Sequence, residues 1–252
     1  MPPVAVVTGA SSGIGAALAR ALSRRDWLCV LLARREDRLQ ALADETECEY
    51  EICDVADRAA VDAVAARVLE RHPRLRLLVC NAGIAGRTGF LDGDPGAMEA
   101  VMRTNYFGGV WCLRAFLPGL EAGAPSDVVN IVSIAGTVAF PPSGPYAASK
   151  HAQLAFSRAT AAQLRGRGIH VHTVKPGFVE TEGFPQRWLP GPVQRLVIGP
   201  ERVAEHVLDA LERGYGETSV PRYYGPAGAL QALMPNLVTR LLARFQRGSR
   251  IA

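Results

Sequence analysis

Short apolar runs alternate with helix-like stretches along nearly the whole chain, and this alternation limits the possible folds more than any other feature. The runs are VAVVTG, WLCVLLA, LRLLVCNAG, DVVNIVS and IHVHTVKPG. Between them lie segments such as IGAALARALSRR and VDAVAARVLERH, with apolar residues at three- and four-residue spacing. Strand and helix in turn imply right-handed crossovers and a parallel sheet covered on both faces. Hydrophobicity that is continuous along each run, rather than alternating, fits strands buried on both sides. The expectation is an α/β fold: a single doubly wound domain over residues 1–252, with a mostly parallel sheet of about seven strands.

Composition narrows the class of function. With 48% hydrophobic and 21% charged residues, the 252-residue chain has an ordinary globular balance. No apolar run reaches the roughly 18 residues that a membrane span needs. MPPVAVVTGAS runs straight into a strand without a secretory pattern, so a cytoplasmic location is expected. Cys29, Cys48, Cys53, Cys80 and Cys112 are scattered without a C-x-x-C pair and read as free, mostly buried thiols. His72, His151, His170, His172 and His206 form neither a metal spacing nor a triad, and no metal site is expected. The net charge of +4 belongs to the tail: residues 236–252 hold Arg240, Arg244, Arg247 and Arg250 and no acid, leaving the other 235 residues neutral. A nucleic-acid groove would need a basic face or a recognition motif, and neither is present.

In a doubly wound sheet, ligands bind beyond the carboxyl ends of the strands. The first such turn is TGASSGIG, Thr8 to Gly15. Gly9 suits the tight turn, Gly13 lets backbone approach a phosphate, and Gly15 lets the helix pack close to the strand. Ser11, Ser12 and Ile14 complete a loop whose following helix offers free N–H groups and a positive dipole end to a pyrophosphate. The second informative stretch is YAASK. The chain has twenty-six arginines and only two lysines, Lys150 and Lys175, and Lys150 stands four residues after Tyr146. At that spacing both side chains leave one face of a helix. A nearby ammonium lowers the value at which a phenol ionises, and a compact point charge does this where an arginine fork would fit badly.

TGASSGIG and YAASK together resemble the short-chain dehydrogenase/reductase family, and further motifs follow in the family's order. CDV, Cys53 to Val55, matches the end of strand three, and NAG, Asn81 to Gly83, the end of strand four. Asn105 stands in RTNYFGG, Ser133 in NIVSIAG, and Pro176 to Thr181 form PGFVET. The resemblance runs from residue 4 to about residue 215 and implies a Rossmann fold and a nicotinamide cofactor. It implies Tyr146 as general acid and base, Lys150 as its partner and a hold on the ribose, Ser133 as the group that polarises the substrate oxygen, and Asn105 as part of a proton relay. It also places Asp54 and Val55 beside the adenine, Asn81, Ala82 and Gly83 near the ribose, and Pro176, Gly177, Val179 and Thr181 near the nicotinamide. At the end of strand two stand Ala33, Arg34 and Arg35, where NAD-preferring enzymes of this architecture carry an acid. The two arginines favour a 2′-phosphate, so the expected cofactor is NADP.

Apolar residues near the site suggest the substrate. Phe140, Pro141 and Pro142 precede Tyr146, and residues 182–200 supply Phe184, Trp188, Leu189, Leu196, Val197 and Ile198. A lipophilic ketone or secondary alcohol is expected, bound by Ser133, Tyr146, Phe140, Phe184 and Trp188; Arg187 and Arg195 leave an anionic head group open. Net non-redox chemistry, such as epimerisation or dehydration, and a non-catalytic NADP-sensing role remain as alternatives. Helices at about 97–118 and 146–166 carry small or apolar residues on most sides and are expected to pair subunits into a homodimer or homotetramer. The 226–252 tail, with Leu237, Leu241, Leu242 and Phe245 on one side and arginines on another, is expected to dock on that oligomer rather than on an anionic membrane surface.

Overall fold

The computed structural model describes residues 2–86, 89–186 and 194–248. Seven strands form one sheet in the order β3-β2-β1-β4-β5-β6-β7, and every neighbouring pair is parallel. They are β1 (Val4–Thr8), β2 (Leu28–Ala33), β3 (Glu49–Ile52), β4 (Leu77–Cys80), β5 (Ser126–Ile131), β6 (Ile169–Pro176) and β7 (Glu217–Val220). The order reverses between β1 and β4, and this switch point opens a crevice at the carboxyl edge.

Successive strand residues point to opposite faces, so each apolar run feeds two cores. On one face Ala5, Val7, Cys29 and Leu31 meet α1 (Gly13–Ser23), α2 (Glu36–Thr46) and α7 (Pro200–Arg213). On the other, Val6, Val30 and Leu32 meet α3 (Arg58–Arg71), α5 (Gly108–Ala122) and the end of α6 (Gly144–Leu164), with Phe116 fully buried. Truncating a phenyl ring in such a core costs about 3–5 kcal/mol. All five cysteines are free thiols, and Cys48 alone is not fully buried.

Three boundaries differ from the sequence expectation. Strand β3 ends at Ile52, although the Cys53 N–H still donates to the Ala33 carbonyl at 2.8 Å, so Asp54 and Val55 lie beyond the sheet. The helix expected at about 97–118 is α4 (Pro95–Met102), then a wide π turn over Arg103–Phe107, then α5. Ile198 belongs to the core, bridged to Val179, rather than to a substrate loop. Trp188, with Arg187 and Leu189, lies outside the described residues. Beyond β7 the chain forms α8 (Gly225–Leu233) and α9 (Pro235–Gly248).

Candidate active site

The glycine turn works by close approach. Gly9 has φ +66°, and a Cβ there would stand 2.7 Å from the Ala82 Cα; at Gly15 it would stand 2.4 Å from the Gly9 carbonyl oxygen. Only hydrogen fits at either position, so the start of α1 is drawn tightly against β1 and β4. Thr8 completes the lock: its hydroxyl donates to the Val79 carbonyl (3.0 Å) and accepts from the N–H groups of Asn81 (2.9 Å) and Ala82 (3.1 Å). The Asn81 amide donates back to the Thr8 and Gly9 carbonyls. No side chain caps the first turn of α1, whose N–H groups face the crevice. This cradle suits a pyrophosphate, and the residues present fit a dinucleotide.

One cleft of about 350 Å³ gathers nearly all the expected cofactor residues. Gly9, Ser11, Ser12, Gly13 and Ile14 line it together with Arg34, Arg35, Asp54, Val55, Asn81, Ala82 and Gly83. Tyr146, Lys150, Ser133, Pro176, Gly177, Val179 and Thr181 line the same cleft. Gly15 lies behind it, as a packing residue. At the adenosine end Ala33 offers no acid. Arg35 donates to the Ser11 hydroxyl (3.0 Å) and the Ser12 hydroxyl (2.7 Å) and pairs with Glu182 at 3.2 Å. Arg38 also pairs with Glu182, whose carboxyl is held below its usual range chiefly by Arg38. Arg34 is mostly exposed and lies 3.7 Å from Asp54.

At the other end, Tyr146 and Lys150 occupy the first turns of α6. Lys150 is 3% exposed, and its ammonium donates to the Ile131 carbonyl (3.0 Å) and the Gln153 side-chain oxygen (2.7 Å). It stands 5.8 Å from the centre of the Tyr146 ring. Burial pushes Lys150 down to about 7 and the Tyr146 phenol up to about 12, the latter partly offset by a hydrogen bond with Ser133. The lowered phenol expected from the ammonium alone is therefore not what this environment gives: desolvation outweighs the neighbouring charge. The Ser133 hydroxyl also accepts from the Ala135 N–H at 3.1 Å.

Asn105 is 1% exposed and points inward from the π turn. Its oxygen accepts from the Ile84 N–H (2.8 Å), and its amide donates to the Ile84 carbonyl and the Ser149 hydroxyl, both at 3.0 Å. It pins the backbone after β4 to α6, and a Cβ on Gly83 would lie 3.2 Å from its oxygen and 3.8 Å from the Lys150 nitrogen. Phe184 reaches the cleft, its ring 5.5 Å from that of Tyr146. Phe140 is half-buried at the turn before α6 and does not line the cleft. Lys175 pairs with Glu217 at 2.6 Å, and that carboxyl, held chiefly by Arg158 and also by Lys175, is pulled down to about 2.

Thr8, Gln153 and Glu182 were missed by sequence reasoning. Gln153 stands three residues beyond Lys150 on the same helix, a spacing that could have identified it. Glu182 carries no local signal, because its partners lie about 144 residues away.

The arrangement has counterparts among known proteins. Residues 3–188 match the family model described as short chain dehydrogenase. Dehydrogenase/reductase SDR family member 7B of Danio rerio is 34% identical over 190 residues, covering 71% of this chain and 61% of that protein. The chain therefore spans about three fifths of that relative's length. Farnesol dehydrogenase of Aedes aegypti is 35% identical over 220 residues, covering 82% of this chain and 89% of that one. A short chain dehydrogenase from Burkholderia cenocepacia, solved in complex with NADP, superposes with a TM-score of 0.84 at 29% identity, covering 96% of this chain and 97% of its own. Motif order, parallel sheet and cleft agree with these matches, and the chain belongs to the short-chain dehydrogenase/reductase family.

Proposed function

We propose that the protein is an NADP-dependent oxidoreductase that interconverts a lipophilic ketone and a secondary alcohol. The observation that carries this reading is the convergence of Tyr146, Ser133 and Lys150 on the cleft that also holds the glycine turn. Bound nicotinamide dinucleotide supplies the hydride and, when oxidised, a positive ring that favours the phenolate. Ser133 donates a hydrogen bond to the substrate oxygen and fixes it beside the phenol. In reduction Tyr146 gives its proton to that oxygen, and in oxidation it takes the proton back. In its protonated form Lys150 sets positive charge 5.8 Å from the centre of the Tyr146 ring, and it reaches toward ribose hydroxyls. Asn105 acts through the 83–84 backbone, which it fixes next to the lysine.

Arg34 and Arg35 favour the 2′-phosphate, and the neutral Ala33 gives the NAD ribose no acceptor. Phe184 and the apolar rim favour a lipophilic carbonyl, consistent with a relative named for an isoprenoid alcohol. Pairing of subunits through α5 and the outer face of α6 is part of the same reading. Phe107 is 39% exposed and stacks on Trp111 at 5.6 Å, and the exposed Ala148, Ala155 and Ala159 offer a flat surface beside them.

The test is a panel of carbonyl compounds assayed with NADPH and NADH in parallel. NADPH is expected to bind more tightly by at least about tenfold, an advantage lost in Arg34→Ala/Arg35→Ala, because each charge-assisted bond contributes roughly 1.5–3 kcal/mol. Equal affinity of the unmutated protein for the two cofactors would refute the assignment.

A further inference from the structure

The exposed apolar surface of the described residues is concentrated at one end of the molecule. Tyr223, Leu230, Leu233, Met234, Leu237 and Leu241 are all exposed, Leu233 by 82%. They lie on α8, α9 and the turn that leads into them, and this hairpin sits on the rim of the cleft. Tyr224 packs so closely on Gly177, a cleft residue, that a Cβ there would be 2.1 Å from its ring. A Cβ on Gly228 of α8 would be 2.8 Å from Thr137, four residues beyond Ser133. Phe90 (58% exposed) and Leu91 (99% exposed) belong to the same rim, since Phe90 packs on Gly144 at the start of the helix that carries Tyr146.

Charge accompanies this surface. Beyond Glu217 the chain has no acidic residue and five arginines. On α9 Val238 is turned inward, whereas Leu237, Arg240, Leu241 and Arg244 are exposed. Apolar side chains flanked by arginines on an exposed helix suit the boundary between acyl chains and anionic head groups. A second copy of this chain suits the face poorly. Isologous pairing would set this arginine-bearing segment against the same segment of a second copy, with no acid in it to neutralise the charge.

We propose that α8, α9 and the Phe90–Leu91 loop dock the protein on an anionic lipid surface with the cleft mouth turned toward it, so that a lipophilic substrate enters from the membrane. The delivery of substrate rests on the oxidoreductase reading; the docking does not. Among the described residues no helix is long and apolar enough to cross a membrane.

The test is co-sedimentation of the full chain with vesicles of phosphatidylcholine mixed with phosphatidylglycerol, compared with phosphatidylcholine alone. Binding is expected to the anionic vesicles, to weaken with salt, and to fall about thirtyfold in Arg240→Gln/Arg244→Gln, each arginine near such a surface contributing about a factor of five. Leu237→Gln/Leu241→Gln is expected to lose binding as well. Both variants should reduce a short, water-soluble ketone at the unmutated rate. Absence of vesicle binding, equal binding to neutral and anionic vesicles, or variants that dissociate an oligomer while binding vesicles normally would each overturn the proposal. Sedimentation needs no turnover, so an inactive chain that binds vesicles and an active chain that does not are separate failures.

Discussion

Lys150 bears a heavy desolvation cost in the cleft. Its ammonium is 3% exposed and is pushed from 10.5 down to about 7 by burial. The unfolded chain therefore binds the extra proton between about pH 7 and about pH 10.5, and the free protein gains stability as pH rises through that window. In Lys150→Met this contribution is gone. Melting temperature measured against pH should rise less steeply in the variant, and parallel curves for both proteins would contradict the burial argument. The pair itself was legible, because a lysine four residues from a tyrosine stands out in an arginine-rich chain. Its electrostatics were not, because desolvation depends on what the fold packs around α6, and Gln153 and the Ile131 carbonyl come from that packing.

The elements were legible to different degrees, for physical reasons. Strands β1, β2, β4, β5 and β6 showed as apolar runs because both faces of the sheet are covered there, whereas the edge strands β3 (EYEI) and β7 (ETSV) carry no such run. Helix α6 was harder to orient because it buries Ser149, Gln153, Ser157 and Thr160 among the apolar Ala147, Leu154 and Leu164. The π turn that aims Asn105 inward has no composition of its own; RTNYFGG reads as one continuous helix with its flanks. The contact between the 178–186 segment and α2 was equally hidden, since Glu182 meets Arg35 and Arg38 only in the folded chain. That carboxylate occupies Arg35, one of the two arginines assigned to the 2′-phosphate, and its negative charge would oppose a phosphate bound there. Glu182→Gln should tighten NADP binding several-fold while leaving NAD binding nearly unchanged, as read by quenching of protein fluorescence. Weaker NADP binding in that variant would mean that Glu182 instead positions the arginines.

The whole molecule has a neutral body and a basic end. The strand order places the switch point between β1 and β4, and the first-turn glycines mark it in the sequence. The rim formed by α8, Phe90 and Tyr224 was not legible, because it joins three segments distant along the chain. Pairing through α5 and α6 predicts a dimer or larger assembly in sedimentation, dissociated by Ala155→Arg; a monomer at every concentration would remove that part of the reading. The central claim is proton exchange by Tyr146 in a cofactor-bound cleft. Its most direct measurement is loss of the near-ultraviolet absorbance of NADPH during carbonyl reduction by the unmutated protein and by Tyr146→Phe, with NADPH affinity measured in both. The account predicts unchanged NADPH affinity and a rate lower by about a hundred- to ten-thousandfold in the variant. Near-normal turnover by Tyr146→Phe would contradict it.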